Sequence, residues 1–167
     1  VRRPEPIVRN TKIRTLDWES EHFFCYCPRD LLLAIGNMII ECPSGFRSRY
    51  FETFSYQKIL LEYFKSGTKW ISAPKPRLLD SAYNFDRQGN EPLLREHEPI
   101  FDAANVLRAG RDIFYLVSES GNELGGHWLQ SVLGDTYRVH LCKNVYSNVH
   151  FDTTVCFIKP GLLMINP

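Results

Sequence analysis

The chain has 167 residues with 20 Lys and Arg against 19 Asp and Glu, a formal net charge of +1. The charges are interspersed and form no basic stripe, so a nucleic-acid partner is not indicated. The most apolar run, LLLAIGNMII, is interrupted by Gly36 and Asn37 and is shorter than the ~18 residues of a membrane span. The length fits one domain over 1–167, large enough to bury roughly 70% of its unfolded surface.

Residues 1–28 are mixed, and VRRPEP is expected to be a short terminal strand with a proline exit. A unit of strand, tight turn, strand, helix and strand then begins at Asp30. It runs through LLLAIG, a turn at Gly36 and Asn37, MIIEC, a helix and a strand around Trp70. In the helix, Tyr56, Ile59, Leu60, Tyr63 and Phe64 form one apolar stripe of period 3.6. Gly67 suits the left-handed position that ends a helix. The Pro-, Asn- and Asp-rich stretch 73–99 is one long excursion. A loop of that length in a compact domain is usually functional, and here it either covers a rim or is a variable insertion.

A second unit starts at Asp102 with ANVLRAG, IFYLV, a helix and TYRVHLC. Leu124, Trp128, Leu129, Val132 and Leu133 form its stripe, Asn122 is the N-cap and Gly134 ends the helix. A third opens at His150, Phe151 and Asp152, continues TTVCFI, turns at Pro160 and Gly161 and stops in LLMIN. If rotation relates the units, Asp30, Asp102, His150 and Asp152 start equivalent strands and converge on one rim. Carboxylates and an imidazole there would bind a cation and move its protons. The plainer reading is an ordinary α/β domain in which Asp30, Asp102 and Asp112 are turn or cap residues and His150 lies at a strand end. Arginines of RSRYFE and RAGRDIF are then structural ion pairs. His22, His97, His127 and His140 have no motif around them.

The cysteines are Cys25, Cys27, Cys42, Cys142 and Cys156. Their odd number and irregular spacing argue against a disulfide framework and for a reducing compartment, hence a cytoplasmic location. Cys25 and Cys27 do not have zinc-ribbon spacing, and no metal or other cofactor is expected.

The segments CPRDLLLAIGN, RSRYFE, LLEYFKSGTKWISAPKPRLLD, EPIFDAANVLRAGRDIF, SGNELGGHWLQSVLGDTYRVH and HFDTT with PGLLMINP resemble the arginine-dependent amidinotransferases. The wording is most similar to the branch acting on inosamine phosphates, with the glycine amidinotransferases next. The resemblance implies a pentein fold, a five-bladed propeller of ββαβ units, with two blades near 30–72 and 102–141 and the opening of another. The chain would then be an internal fragment of about two and a half blades, VRRPEP closing a blade whose beginning is absent.

The resemblance further implies that a cysteine thiolate takes the amidino group of L-arginine, releasing ornithine, and passes it to an acceptor amine. Asp102 matches the family's catalytic carboxylate and His150 its general acid/base. Asp152 and Asp30 match substrate-binding carboxylates. The family's nucleophile lies in a Gly-Phe-His-Cys segment that has no counterpart here, so residues 1–167 alone are expected to be inactive. Val149, where the family often has Met or a hydroxyl residue, and Met38, where it often has Glu or Thr, bear on acceptor choice. L-arginine and an amine are the expected partners, without nucleic acid or membrane, and a homodimeric parent is compatible. A guanidine-modifying hydrolase of the same fold and a non-catalytic binding module are the alternatives.

Overall fold

The computed structural model describes residues 2–8, 10–89, 91–145 and 149–166. Two ββαβ units form its centre. In the first, β3 (Leu32–Ile35) and β4 (Met38–Glu41) pair antiparallel, helix α2 (Gln57–Lys65) crosses over, and β5 (Lys69–Ser72) returns parallel to β4. The second repeats this with β6 (Val106–Ala109), β7 (Asp112–Leu116), α3 (Glu123–Leu133) and β8 (Arg138–Cys142). A third unit contributes the hairpin β9 (Val155–Lys159) and β10 (Leu162–Ile165). A shorter hairpin, β1 (Lys12–Arg14) and β2 (Glu19–Glu21), precedes them. This is an α/β arrangement of repeated units whose ring does not close, a partial pentein propeller.

The turns explain the spacing. Gly36 and Gly110 lead the β3–β4 and β6–β7 turns with φ of 59° and 67°, a region where a Cβ is strained. Gly134 closes α3 at φ 55° and Gly67 follows α2 at φ 96°. The Asn122 side chain accepts from Gly125 N at 2.9 Å and from Ile100 N at 3.1 Å. It caps α3 and ties it to the preceding segment.

One core lies between the two complete units. Leu33, Ile35, Ile40 and Cys42 of the first pack with Phe101, Val106, Ile113, Tyr115, Leu129 and Leu133 of the second. Residues 73–99 supply a second cluster, in which Leu78, Ala82 and Leu94 pack with Ile13, Trp18 and Ile100. The excursion is therefore a packed part of the molecule. It reaches the β7–α3 loop where Arg87 pairs with Glu119 at 2.7 Å.

Two expectations are corrected. VRRPEP forms no strand over residues 2–6, and Val1 lies outside the described residues; Glu5 N donates once, to Ser55 O, and no ladder partner accompanies it. Asp30, Asp102, His150 and Asp152 do not begin strands. Asp30 lies in the one-turn helix α1 (Pro28–Leu31), Asp102 precedes the 3-10 turn Ala103–Asn105, and His150 precedes the turn Phe151–Thr153 that contains Asp152. A helical turn before each first strand swings these side chains out of the sheet ladders.

Apolar faces remain open. Tyr56 and Leu60 are buried, but Phe64 of the same stripe is 57% exposed, and Ile165 of the third hairpin is 60% exposed beside exposed Leu163 and Met164. A patch of this kind favours association, and β10 has an unpaired edge. Isolated residues 1–167 are expected to associate at micromolar concentration, with a weight-average mass that rises with concentration in sedimentation. A monomer with a sharp two-state thermal transition contradicts this.

Candidate active site

The three helical turns before β3, β6 and β9 pack side by side, which brings together residues far apart in sequence. His150 Nε2 lies 2.9 Å from Asp102 Oδ2. On the other side of the ring, His150 Nδ1 lies 3.9 Å from Asp30 Oδ1. The Asp102 side chain is fully buried, while those of His150 and Asp30 are each 17% exposed. Asp102 Oδ1 is buried and has no hydrogen-bond partner among the described residues. A buried carboxylate oxygen without a donor is costly.

Asp30 is held from behind. Arg49 Nη1 donates to Asp30 Oδ2 at 2.7 Å, while its Nε and Nη2 donate to Glu52 at 2.6 and 3.1 Å. Planar guanidinium geometry suits this double engagement. Arg29 bridges the units: its Nη2 donates to Val106 O at 2.7 Å, its Nη1 to Ala103 O, and its Nε lies 3.7 Å from Asp152 Oδ2. Asp152 is at the margin of the site.

Burial pulls the His150 imidazolium down, but the Asp102 hydrogen bond and the charges of Asp102, Asp30 and Asp152 outweigh it, and the net shift is upward from 6.5. The sign follows by linkage. The stabilisation from this raised group is complete below the unfolded value of ~6.5 and is lost as pH rises through the folded value.

The sequence-derived residues Asp30, Asp102 and His150 meet in one place, with Asp152 reaching it through Arg29. Val149 contributes its carbonyl, which accepts from Ser118 Oγ at 2.6 Å. Arg29, Glu52, Asn105, Ser118 and Ser120 were not singled out by sequence, and Arg49 was read as a structural ion pair. Only the Arg49 and Glu52 spacing of three was a usable signal. The plainer expectation holds for Arg49, an ion pair, but Arg111 donates to the carbonyls of Thr136 and Asp135 instead. Asp112 is in β7, and its Oδ1 accepts from His140 Nε2 at 2.7 Å. Cys42 is buried, and burial together with Asp102 pushes its thiol well up. A cleft of about 650 Å³ lies elsewhere, lined by Arg111, Asp112, Gln130 and Asp135 among others, and contains none of Asp30, Asp102, His150 and Asp152. Among the described residues no group of His, Cys, Asp and Glu is arranged to hold a metal ion, and no helix is long and apolar enough to cross a membrane.

Over all 167 residues the chain is 54% identical to an inosamine-phosphate amidinotransferase of Streptomyces griseus, covering 48% of that protein. A solved inosamine-phosphate amidinotransferase from Streptomyces griseus superposes with a TM-score of 0.95 at 53% identity, over 99% of this chain and 47% of that one. The chain is homologous to the amidinotransferases. An amidinotransferase of the saxitoxin biosynthetic pathway from Microseira wollei superposes with a TM-score of 0.94 at 43% identity, over 99% of this chain and 50% of that one. No protein-family model matches. The amidinotransferase homology extends from end to end of this chain, which spans about half the length of the curated relatives it matches.

Proposed function

We propose that this chain carries the acid/base half of an amidinotransferase site, acting on L-arginine and an acceptor amine. The observation that carries the reading is the buried Asp102, one oxygen on His150 and the other without a partner among the described residues. A guanidinium N–H would satisfy that oxygen, and Asp30 on the far side of His150 would hold the opposite edge of a planar cation.

In the proposed reaction a cysteine thiolate from outside residues 1–167 attacks the guanidinium carbon. The bond from that carbon to Nε of the substrate arginine breaks, and protonated His150 gives its proton to that nitrogen, which leaves as the side-chain amine of ornithine. An acceptor amine then loses a proton to His150 and attacks the amidino-cysteine, expelling thiolate. One imidazole serves as acid and then as base. The raised proton affinity of His150 favours the protonated form that the first half requires. Asp152 and Val149 are the residues proposed to bear on acceptor choice, and an aminocyclitol phosphate, glycine or a related amine of secondary metabolism is the proposed acceptor class.

The test is single turnover of the full-length protein with arginine in the absence of acceptor. The expected result is stoichiometric ornithine and one cysteine peptide heavier by an amidino group. Citrulline as product would replace this reading with a hydrolase, and neither product would leave a binding module. Purified residues 1–167 release no ornithine above background.

A further inference from the structure

His150 is aimed through its backbone. The carbonyl before it, Val149 O, accepts from Ser118 Oγ at 2.6 Å and lies 2.7 Å from Ser120 Oγ. The carbonyl of His150 itself accepts from Thr153 Oγ1 at 2.7 Å. Behind the two serines, Asn105 Nδ2 donates to Ser118 Oγ at 3.0 Å, and Asn105 Oδ1 lies 2.8 Å from Ser120 Oγ. A hydroxyl has one proton, so Ser120 divides its donation between Val149 O and Asn105 Oδ1. Asn105 and Ser120 are fully buried.

Ser120 has a second attachment. Its carbonyl accepts the N–H of Asp102 at 3.0 Å. One residue therefore touches the backbones of both partners, Asp102 through its carbonyl and the peptide entering His150 through its hydroxyl. Asp102 opens the second unit and His150 the third, so no local chain geometry sets their spacing. The loop has little room to slide: a Cβ on neighbouring Gly121 would lie 2.4 Å from Asn105 Nδ2.

We propose that Ser120, with Ser118 and Asn105, is a positioning residue that keeps His150 Nε2 on Asp102 Oδ2 during proton transfer. The proposal rests on His150 acting as the acid/base. A loop that was merely structural would change stability and leave the imidazole alone. Among the described residues the charged groups around His150 include Asp102, Asp30 and Asp152, with Arg49 on the far oxygen of Asp30 and Arg29 beside Asp152. With all of these retained, loss of register weakens the Asp102 hydrogen bond while burial still opposes the charge, so the imidazole midpoint falls.

The experiment follows the His150 ring proton by NMR titration in full-length protein, with steady-state kinetics beside it. Ser118→Ala/Ser120→Ala is expected to lower the His150 midpoint and reduce kcat by ~10- to 10²-fold with little change in KM for arginine, as small misplacements of reacting groups do. S120A alone falls between, because Ser118 still donates. S118T/S120A returns one hydroxyl and recovers part of both. Ile113→Val, in the core away from the site, lowers the melting temperature and leaves the midpoint in place. A folded double variant with an unmoved midpoint overturns the proposal, as does an I113V shift of equal size. If the double variant does not fold, S120A carries the test, and no fall in its midpoint overturns the proposal. The two readings fail separately. A midpoint that falls as stated in a protein without amidino transfer sinks only the proposed activity. Transfer that depends on His150 while its midpoint ignores the serines sinks only the positioning role.

Discussion

His150→Ala in the full-length protein is expected to lower kcat for amidino transfer by ~10³–10⁴-fold, the upper end of what a general acid–base group contributes. The reason is double use. In the proposed reaction the same ring, 2.9 Å from Asp102 and 3.9 Å from Asp30, would serve the leaving ornithine and the entering amine, so its loss would slow both halves of the cycle. Asp102→Asn is expected to cost on the order of 10²-fold or more. It keeps the shape of the side chain but removes both the charge beside the imidazole and the carboxylate proposed to take a guanidinium N–H. D102N should also move the lower limb of the pH–kcat profile toward lower pH, because the hydrogen bond and charge that raise His150 are gone while burial remains. Single-turnover ornithine release measures the first half-reaction directly. A His150→Ala protein that keeps more than about a tenth of wild-type kcat would remove His150 from the mechanism.

Arg49→Met is expected to destabilise the full-length protein by ~3–5 kcal/mol, the range for breaking a buried ion pair by deleting one partner. Arg49 and Glu52 side chains are 10% and 1% exposed, and Arg49 also holds Asp30. Its removal strands two carboxylates at once, one of them almost without water. The double variant R49M/E52L should recover a large part of the loss, because no buried carboxylate then remains at position 52, and the two substitutions should be strongly non-additive. Urea denaturation of the wild type, both single variants and the double variant gives the cycle. A cost for R49M under ~1 kcal/mol, or simple additivity, would show that water reaches Glu52 and that the pair is not a buried one.

The units were legible because their signals are local. Leu129 and Leu133 bury as the period of 3.6 requires, and Gly67, Asn122 and Gly134 end or cap helices where their conformational preferences put them. Leu60 of α2 and Tyr56 just before it follow the same rule, while Phe64 departs from it and is exposed. The residues before each first strand were misread as strand starts. A single turn of helix satisfies few backbone hydrogen bonds of its own, so packing against neighbouring turns decides whether it forms. Residues 73–99 have no periodic pattern, and their core role depends on a cluster completed by Ile13 and Trp18.

The sequence by itself determined the repeat, its turns and helix ends, and the chemical identity of Asp30, Asp102, His150 and Asp152, since propensity, periodicity and residue type are properties of neighbours along the chain. Only the tertiary structure decided that His150 sits on Asp102 across 48 residues, that Arg49 reaches Asp30 across 19, and that Ser120 touches the backbone beside both members of the Asp102–His150 pair. Those distances depend on how adjacent units pack around the shared core of Ile40, Phe101 and Tyr115. Hydrogen bonds fail within a few tenths of an ångström, and no pattern along a chain specifies the packing of separate units that finely.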